Sequence, residues 1–141
     1  MVGFIENQKK DMNIEIIEFP KIHNRKGNIA VIENEVIPFS IQRVYYLYDV
    51  PSTSKRGGHA HKNLQQVLVA ISGSFDVILK DGKSKQKITL NKPDKGLYLK
   101  NNIWRELENF SSGAVCLVMA SEVYDEEDYI RNYADFLKYI R

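Results

Sequence analysis

In the run Arg56-Gly57-Gly58-His59-Ala60-His61-Lys62 two imidazoles stand two residues apart. On an extended strand that spacing turns both rings to one face, with the Arg56 guanidinium close behind. Imidazoles so placed bind a metal, move a proton, or fill a hydrogen-bonded niche in a core. The apolar, partly β-branched run Val67-Leu68-Val69-Ala70-Ile71 follows. The two glycines ahead of His59 leave room for another group to come close. Together these residues read as the floor of a pocket.

A His-x-His strand near the middle of an all-β chain resembles the cupins. Metal-binding cupins add a carboxylate shortly after the pair and a third histidine on a later strand. Here the residues after His61 are Asn63-Leu64-Gln65-Gln66, and the later strand reads Ile103-Trp104-Arg105-Glu106-Leu107. An amide offers a divalent cation no charge, and a guanidinium stays protonated and only donates. Two ligands of four remain, so no metal is expected, and the histidines are left to move a proton or to fill a hydrogen-bonded niche.

Strand alternation places Arg105 on the face shared by Ile103 and Leu107, and turns Glu106 the other way. A guanidinium buried without a counter-charge costs several kcal/mol, so a carboxylate or an anionic ligand should meet it. The same alternation in Ile41-Gln42-Arg43-Val44-Tyr45-Tyr46-Leu47 sets Arg43 and Tyr45 together. If that face lines the pocket, Arg43, Arg56 and Arg105 form, with two His and a Tyr, a cationic cup for phosphates and a hydroxylated substrate. In the alternative these arginines pair with Glu33, Glu35 or Asp49 as ordinary surface charges.

The elements that would carry these groups are short strands. Ile14–Phe19, residues 28–33, Ile41–Tyr48, His59 through Ile71, residues 74–79, Lys85–Leu90, residues 96–100, Ile103–Glu108 and residues 114–120 are rich in β-branched or aromatic residues. Ser72-Gly73, Asp81-Gly82, Pro38, Pro51 and Pro93 separate them. About nine closely spaced strands predict a sandwich or small barrel. Only the tail is predicted helical: Asp125-Glu126-Glu127-Asp128 opens it, Ile130, Tyr133, Leu137 and Ile140 recur at helical steps, and Lys138 and Arg141 close it. Its apolar stripe should pack on the outside of the sheet. Residues 1–13 read as a loosely held leader, and 14–141 as a single domain.

Bulk composition narrows the class. The 141 residues suffice for one core without staples. Twenty Lys plus Arg against eighteen Asp plus Glu gives a net charge of +2, too small and interspersed for a nucleic-acid surface. The single Cys116 lies in an apolar run and reads as a buried small hydrophobe. No stretch is long enough to span a membrane, no signal peptide is evident, and a reducing cytoplasm is expected. The aromatic cluster Tyr45-Tyr46-Leu47-Tyr48 leaves apolar surface for a partner subunit, so a homodimer is expected. His23, in Lys21-Ile22-His23-Asn24, reads as a solvated loop residue.

Taken as a set, Pro38-Phe39-Ser40-Ile41-Gln42-Arg43-Val44-Tyr45-Tyr46, Arg56 through Lys62, Gln66-Val67-Leu68-Val69, Gly96-Leu97-Tyr98 and Tyr124-Asp125-Glu126-Glu127-Asp128-Tyr129-Ile130-Arg131 resemble the sugar 3,4-ketoisomerases. These are metal-free cupins acting on dTDP-4-keto-6-deoxyglucose on the way to 3-amino-3,6-dideoxy sugars of surface glycans. The resemblance runs over nearly the whole chain. It implies a cupin-type double-stranded β-helix (jelly roll) with one C-terminal α-helix, and no cofactor. It also implies His59 as catalytic base with His61 and Tyr45 beside it, Arg56 on the nucleotide sugar, and a homodimer exchanging N-terminal strands, giving residues 14–33 a task across the interface. Some relatives carry His at the position of Arg105, and the position of Arg25 varies between Arg and Tyr. These differences look linked to the C4 epimer made, leaving a galacto or a gluco 3-keto product.

The chemistry agrees with the residues. Moving a carbonyl from C4 to C3 needs a base for the C3 proton and an acid to protonate C4, through an enediol. Histidine serves both, Tyr45 can pass protons between the two oxygens, and Arg105 or Arg25 can stabilise enediolate charge. Two rival readings are a non-catalytic nucleotide-sugar-binding cupin and a 4-keto-sugar epimerase.

Overall fold

A computed structural model describes residues 12–141. The leader expected over residues 1–13 lies, apart from Met12 and Asn13, outside the described residues. Met12 is buried in the core.

Among the described residues twelve strands form: β1 (Ile14–Glu18), β2 (Lys21–Asn24), β3 (Gly27–Ala30), β4 (Arg43–Leu47), β5 (Arg56–His61), β6 (Gln66–Ser72), β7 (Phe75–Lys80), β8 (Lys85–Leu90), β9 (Lys95–Leu99), β10 (Trp104–Glu108), β11 (Val115–Ala120) and β12 (Tyr129–Ile130). One antiparallel sheet runs β1-β9-β6-β11-β4, a second runs β12-β5-β10-β7-β8, and β2-β3 is a separate hairpin. Two facing antiparallel sheets with crossed connections are the expected jelly roll. Leu68, Ala70, Val77, Leu79, Leu97, Leu99, Leu107 and Val118 from both sheets share one buried cluster. Phe75 stacks on Phe110 at 5.1 Å within it. Cys116 is fully buried there, and burial pushes its thiol up to about 12, so it packs as a hydrophobe.

The turn at Gly73 is predicted to tolerate little. Its φ is +67°, and a Cβ would meet Ser111 Oγ at 2.5 Å and the Ala114 Cα at 2.8 Å. Gly73→Ala should therefore cost about 2 kcal/mol, read as a lower midpoint in urea with unchanged slope.

Three expectations are corrected. The strand expected from His59 through Ile71 is two strands, because residues 62–65 turn away between the sheets. The polar loop around His23 is instead β2, turned into β3 as the Asn24 side chain accepts from the Lys26 N–H at 2.7 Å. All eight residues of β2 and β3 are exposed. The tail's helix is shorter than expected. Asp125 caps a 3-10 turn over Glu126–Asp128, Tyr129 and Ile130 pair with β5, and the Asn132 side chain caps α1 (Tyr133–Tyr139). Side-chain capping at two places and pairing with a strand edge win over the helical period. As expected, α1 lies outside a sheet: Phe136 packs with Trp104, Ala60 and Ile130.

Candidate active site

Residues of six strands line a cavity of about 460 Å³. β4 supplies Arg43 and Tyr45, β5 Arg56 and His59, β6 Gln66, β10 Arg105, and β12 Tyr129, with Arg131 just beyond; Leu68, Leu107 and Val118 complete the apolar wall. Register explains the assembly. Tyr45 lies opposite Val118, which lies opposite Leu68, and Arg43 and Gln66 flank Ala120. Across the other sheet Arg105 is the partner of His59, and a bulge follows at Glu106, opposite Gly57. Gly57 has φ +81° and a Cβ there would sit 3.1 Å from the Arg105 carbonyl oxygen. The glycines ahead of His59 thus serve the bulge that seats β5 against β10.

Arg105 is 1 % exposed. Its Nη1 donates to Gln66 Oε1 at 2.6 Å, and its Nη2 and Nε to the Ile103 carbonyl at 3.0 and 3.3 Å. Burial lowers its pKa to about 10, so it stays charged at neutral pH. Of the carboxylate or anionic ligand expected to meet it, no carboxylate is in contact, and among the described residues Arg43, Arg56 and Arg105 make no ion pair with a carboxylate. The surface-pairing alternative for these arginines fails on that point. The two positions where a metal-binding cupin would place ligands are instead bonded to each other. Among the described residues no three His, Cys, Asp or Glu side chains gather as a metal site.

Because Gln66 Oε1 is committed to Arg105, its Nε2 is what donates to the Tyr45 oxygen at 3.0 Å. The phenol accepts there and keeps its own hydrogen for the cavity. Burial raises the Tyr45 pKa against the pull of that hydrogen bond, so the group is a neutral donor.

His59 is half-buried on the cavity wall. Desolvation first, and Arg105 second, depress its pKa to about 4. Among the described residues its buried Nδ1 meets no hydrogen-bond partner. His61 is 0 % exposed and stands behind the wall rather than on it. Its ring is edge-on to His59 at 4.8 Å, and Tyr129 contacts both rings at 4.9 and 4.4 Å. Burial, then Arg105, depress the His61 pKa to about 2. Both imidazoles are neutral.

The Arg43 guanidinium lies over Tyr45 at 5.0 Å and Tyr124 at 5.7 Å, with its Nε and Nη2 buried and unpartnered among the described residues. Arg131 covers the Tyr129 ring at 4.2 Å and grips Glu126 through two hydrogen bonds of 2.7 and 2.8 Å. That grip and the Tyr124 hydroxyl hold the Glu126 carboxyl down near 2. Arg25 sits at the tip of the β2-β3 hairpin, exposed and away from the cavity of its own chain.

Sequence reasoning therefore named His59, Tyr45, Arg43, Arg56 and Arg105 as neighbours, and the structure brings all five to one cavity. It missed Tyr129 and Arg131, hidden in a segment whose acidic start reads as a helix. It also missed Gln66, seen only as a ligand that was absent.

This arrangement has close counterparts. The family model described as "FdtA: WxcM-like, C-terminal" matches residues 12–141. A TDP-4-oxo-6-deoxy-alpha-D-glucose-3,4-oxoisomerase of Aneurinibacillus thermoaerophilus is 51 % identical over 130 residues, covering 92 % of this chain and 94 % of that protein. The TDP-quinovose 3,4-ketoisomerase WlaRB of Campylobacter jejuni superposes with a TM-score of 0.85 at 51 % identity, over 89 % of this chain and 98 % of its own. A variant of the 3,4-ketoisomerase QdtA of Thermoanaerobacterium thermosaccharolyticum, solved with TDP-4-keto-6-deoxyglucose, has a TM-score of 0.89 at 43 % identity, over 91 % and 94 % of the two chains. With a jelly roll, an interior cavity lined by His59 and Tyr45, and a match over nearly its whole length, the chain belongs to the family described as "FdtA: WxcM-like, C-terminal" and is an isomerase.

Proposed function

We propose that the chain converts TDP-4-keto-6-deoxyglucose into a TDP-3-keto-6-deoxy sugar by moving the carbonyl from C4 to C3. The observation that carries this reading is a half-buried imidazole, held neutral, facing a cavity in which the Arg43, Arg56 and Arg105 guanidinium groups meet no carboxylate among the described residues. His59 takes the C3 proton, which the neighbouring ketone acidifies. The enediolate forms beside Arg105, and the free hydroxyl hydrogen of Tyr45 serves the exchange between O3 and O4. A proton returns to C4, so the isomerisation is proton-neutral. Arg43 and Arg56 hold the diphosphate. His61 supports His59 from behind. No cofactor takes part, and chelators leave turnover unchanged.

The product, a 3-keto sugar, feeds transamination toward 3-amino-3,6-dideoxy sugars of surface glycans, and the reaction runs in the cytoplasm. The working unit is a homodimer with exchanged N-terminal strands. Supporting this, Ile22 and Ile29 on the hairpin are 56 % and 59 % exposed, and Val44 and Tyr46 face outward from the edge strand β4. The substrate role of Arg25 then falls to the hairpin tip of the neighbouring copy.

The test is incubation with TDP-4-keto-6-deoxyglucose and NMR of the product, with the carbonyl expected at C3. A carbonyl that stays at C4 while a ring centre inverts would make the protein an epimerase, and binding without turnover would make it a binding protein. The C4 configuration of the product reads out the galacto or gluco outcome directly. Arg56→Ala should raise KM by about tenfold with kcat within a factor of about three, since a solvent-facing guanidinium on the diphosphate binds ground state and transition state alike.

A further inference from the structure

Asp128 is a buried carboxylate that the chemistry above does not use. Its Oδ1 accepts from the Asn63 N–H at 2.7 Å. Its Oδ2 accepts from the Leu64 N–H at 3.2 Å and lies 3.1 Å from His61 Nδ1. A carboxylate only accepts, so the His61 nitrogen facing it carries the hydrogen. Burial and the neighbouring Arg105 disfavour a second hydrogen on the ring, and no acceptor stands ready for one at Nε2, so Nε2 is left bare. That Nε2 is buried and meets no partner among the described residues. An unmet buried acceptor costs about 1–3 kcal/mol, an arrangement kept where a lone pair is needed. The groups packed on the His61 ring are His59 and Tyr129, both on the cavity wall.

We propose that Asp128 is a positioning residue that locks His61 with its hydrogen on Nδ1, so that a bare Nε2 stands as a fixed acceptor behind His59 and Tyr129. This rests on the proton-transfer reading of the cavity. The rigid backbone contacts of Asp128 make the lock directional, because both carboxylate oxygens are already held by main-chain N–H groups. An Asn at this position must present its NH₂ to one of those sides. Keeping the shorter bond to Asn63 turns the NH₂ toward His61, which forces the hydrogen onto Nε2.

The chain has three histidines, so their ring nitrogens can be assigned singly in ¹⁵N-histidine-labelled protein. His23→Gln and His59→Asn remove the other two in turn. Long-range ¹H–¹⁵N correlation of the wild type is expected to show His61 with a protonated Nδ1 and a bare Nε2, unchanged from about pH 5.5 to about pH 8.5. Asp128→Asn is expected to reverse that pattern and to lower kcat by about 10²-fold with KM changed less than about threefold. A wild-type His61 protonated on Nε2 overturns the proposal, and this needs no variant to fold. So does a folded Asp128→Asn protein that melts earlier yet keeps the wild-type tautomer and kcat, since Asp128 is then only a clip for residues 62–64. Failure of the wild type to move the carbonyl would sink the functional reading while leaving the tautomer result standing.

Discussion

His59→Asn is expected to reduce carbonyl transfer by about 10⁴-fold while the fold and substrate binding persist. The amide fills much the same volume on the half-buried wall but has no nitrogen lone pair with which to take a proton from carbon. One-dimensional NMR of the sugar product after long incubation measures the loss, and calorimetry with the substrate measures the retained affinity. Residual turnover within about tenfold of wild type would remove His59 from the role of base.

The same residue sets the pH dependence. His59 has its pKa lowered from 6.5 to about 4 by burial and by Arg105. The reactive form is the neutral one, so kcat/KM should be flat above about pH 5 and fall as pH drops through about 4. Stability follows a different window. Between pH 6.5 and about 4 the unfolded chain holds protons on His59 and His61 that the folded chain refuses. Stability is therefore complete above about pH 6.5 and declines on acidification, by about 1.4 kcal/mol per pH unit for each ring. Urea midpoints taken across that range check the slope, and an acid limb of kcat/KM near pH 6.5 would contradict the desolvated setting of His59.

How much of this was legible in the residues depended on the range of the contacts. Period-two alternation is local, so it correctly put His59, Tyr45, Arg43 and Arg105 on inward faces and Glu106 outward, where it accepts from the Trp104 indole at 2.8 Å. Glycine chemistry is also local, and Gly57-Gly58 signalled a close approach that proved to be the β5-β10 bulge. The break between β5 and β6 was not legible. It depends on Asp128 reaching back more than sixty residues to the Asn63 and Leu64 N–H groups. From sequence, the same aspartate looked like part of an acidic helix start, and that reading concealed Tyr129 on the cavity wall. For Arg105 the expected partner was a carboxylate or an anionic ligand, and among the described residues no carboxylate engages it, which leaves the anionic ligand. A guanidinium needs its donors satisfied as well as its charge met, and a glutamine oxygen and a main-chain carbonyl satisfy them without neutralising it.

That uncompensated charge is the basis of the second large effect, expected for Arg105→Met. Methionine matches the buried length without a charge. The guanidinium carries a desolvation cost that no contacting carboxylate offsets, so its removal returns free energy. Against this, Gln66 Oε1 and the Ile103 carbonyl lose their donors, each worth about 1–3 kcal/mol when left unmet. The terms oppose, and the variant should fold with stability within about 2 kcal/mol of wild type. Catalysis has no such compensation. The enediolate would lose the cation beside it, and kcat should fall by about 10²–10³-fold. Arg105 is also the second cause of the depressed His59 pKa, so the acid limb of kcat/KM should move upward from about pH 4 toward the ordinary value of 6.5. Lysine restores a charge but not the forked hydrogen bonds to Gln66 and Ile103, so Arg105→Lys should keep the limb low and recover only part of kcat. A falling kcat with an unmoved acid limb would mean that Arg105 acts on the substrate without facing His59, and an unchanged kcat would strip it of any part in holding the developing charge.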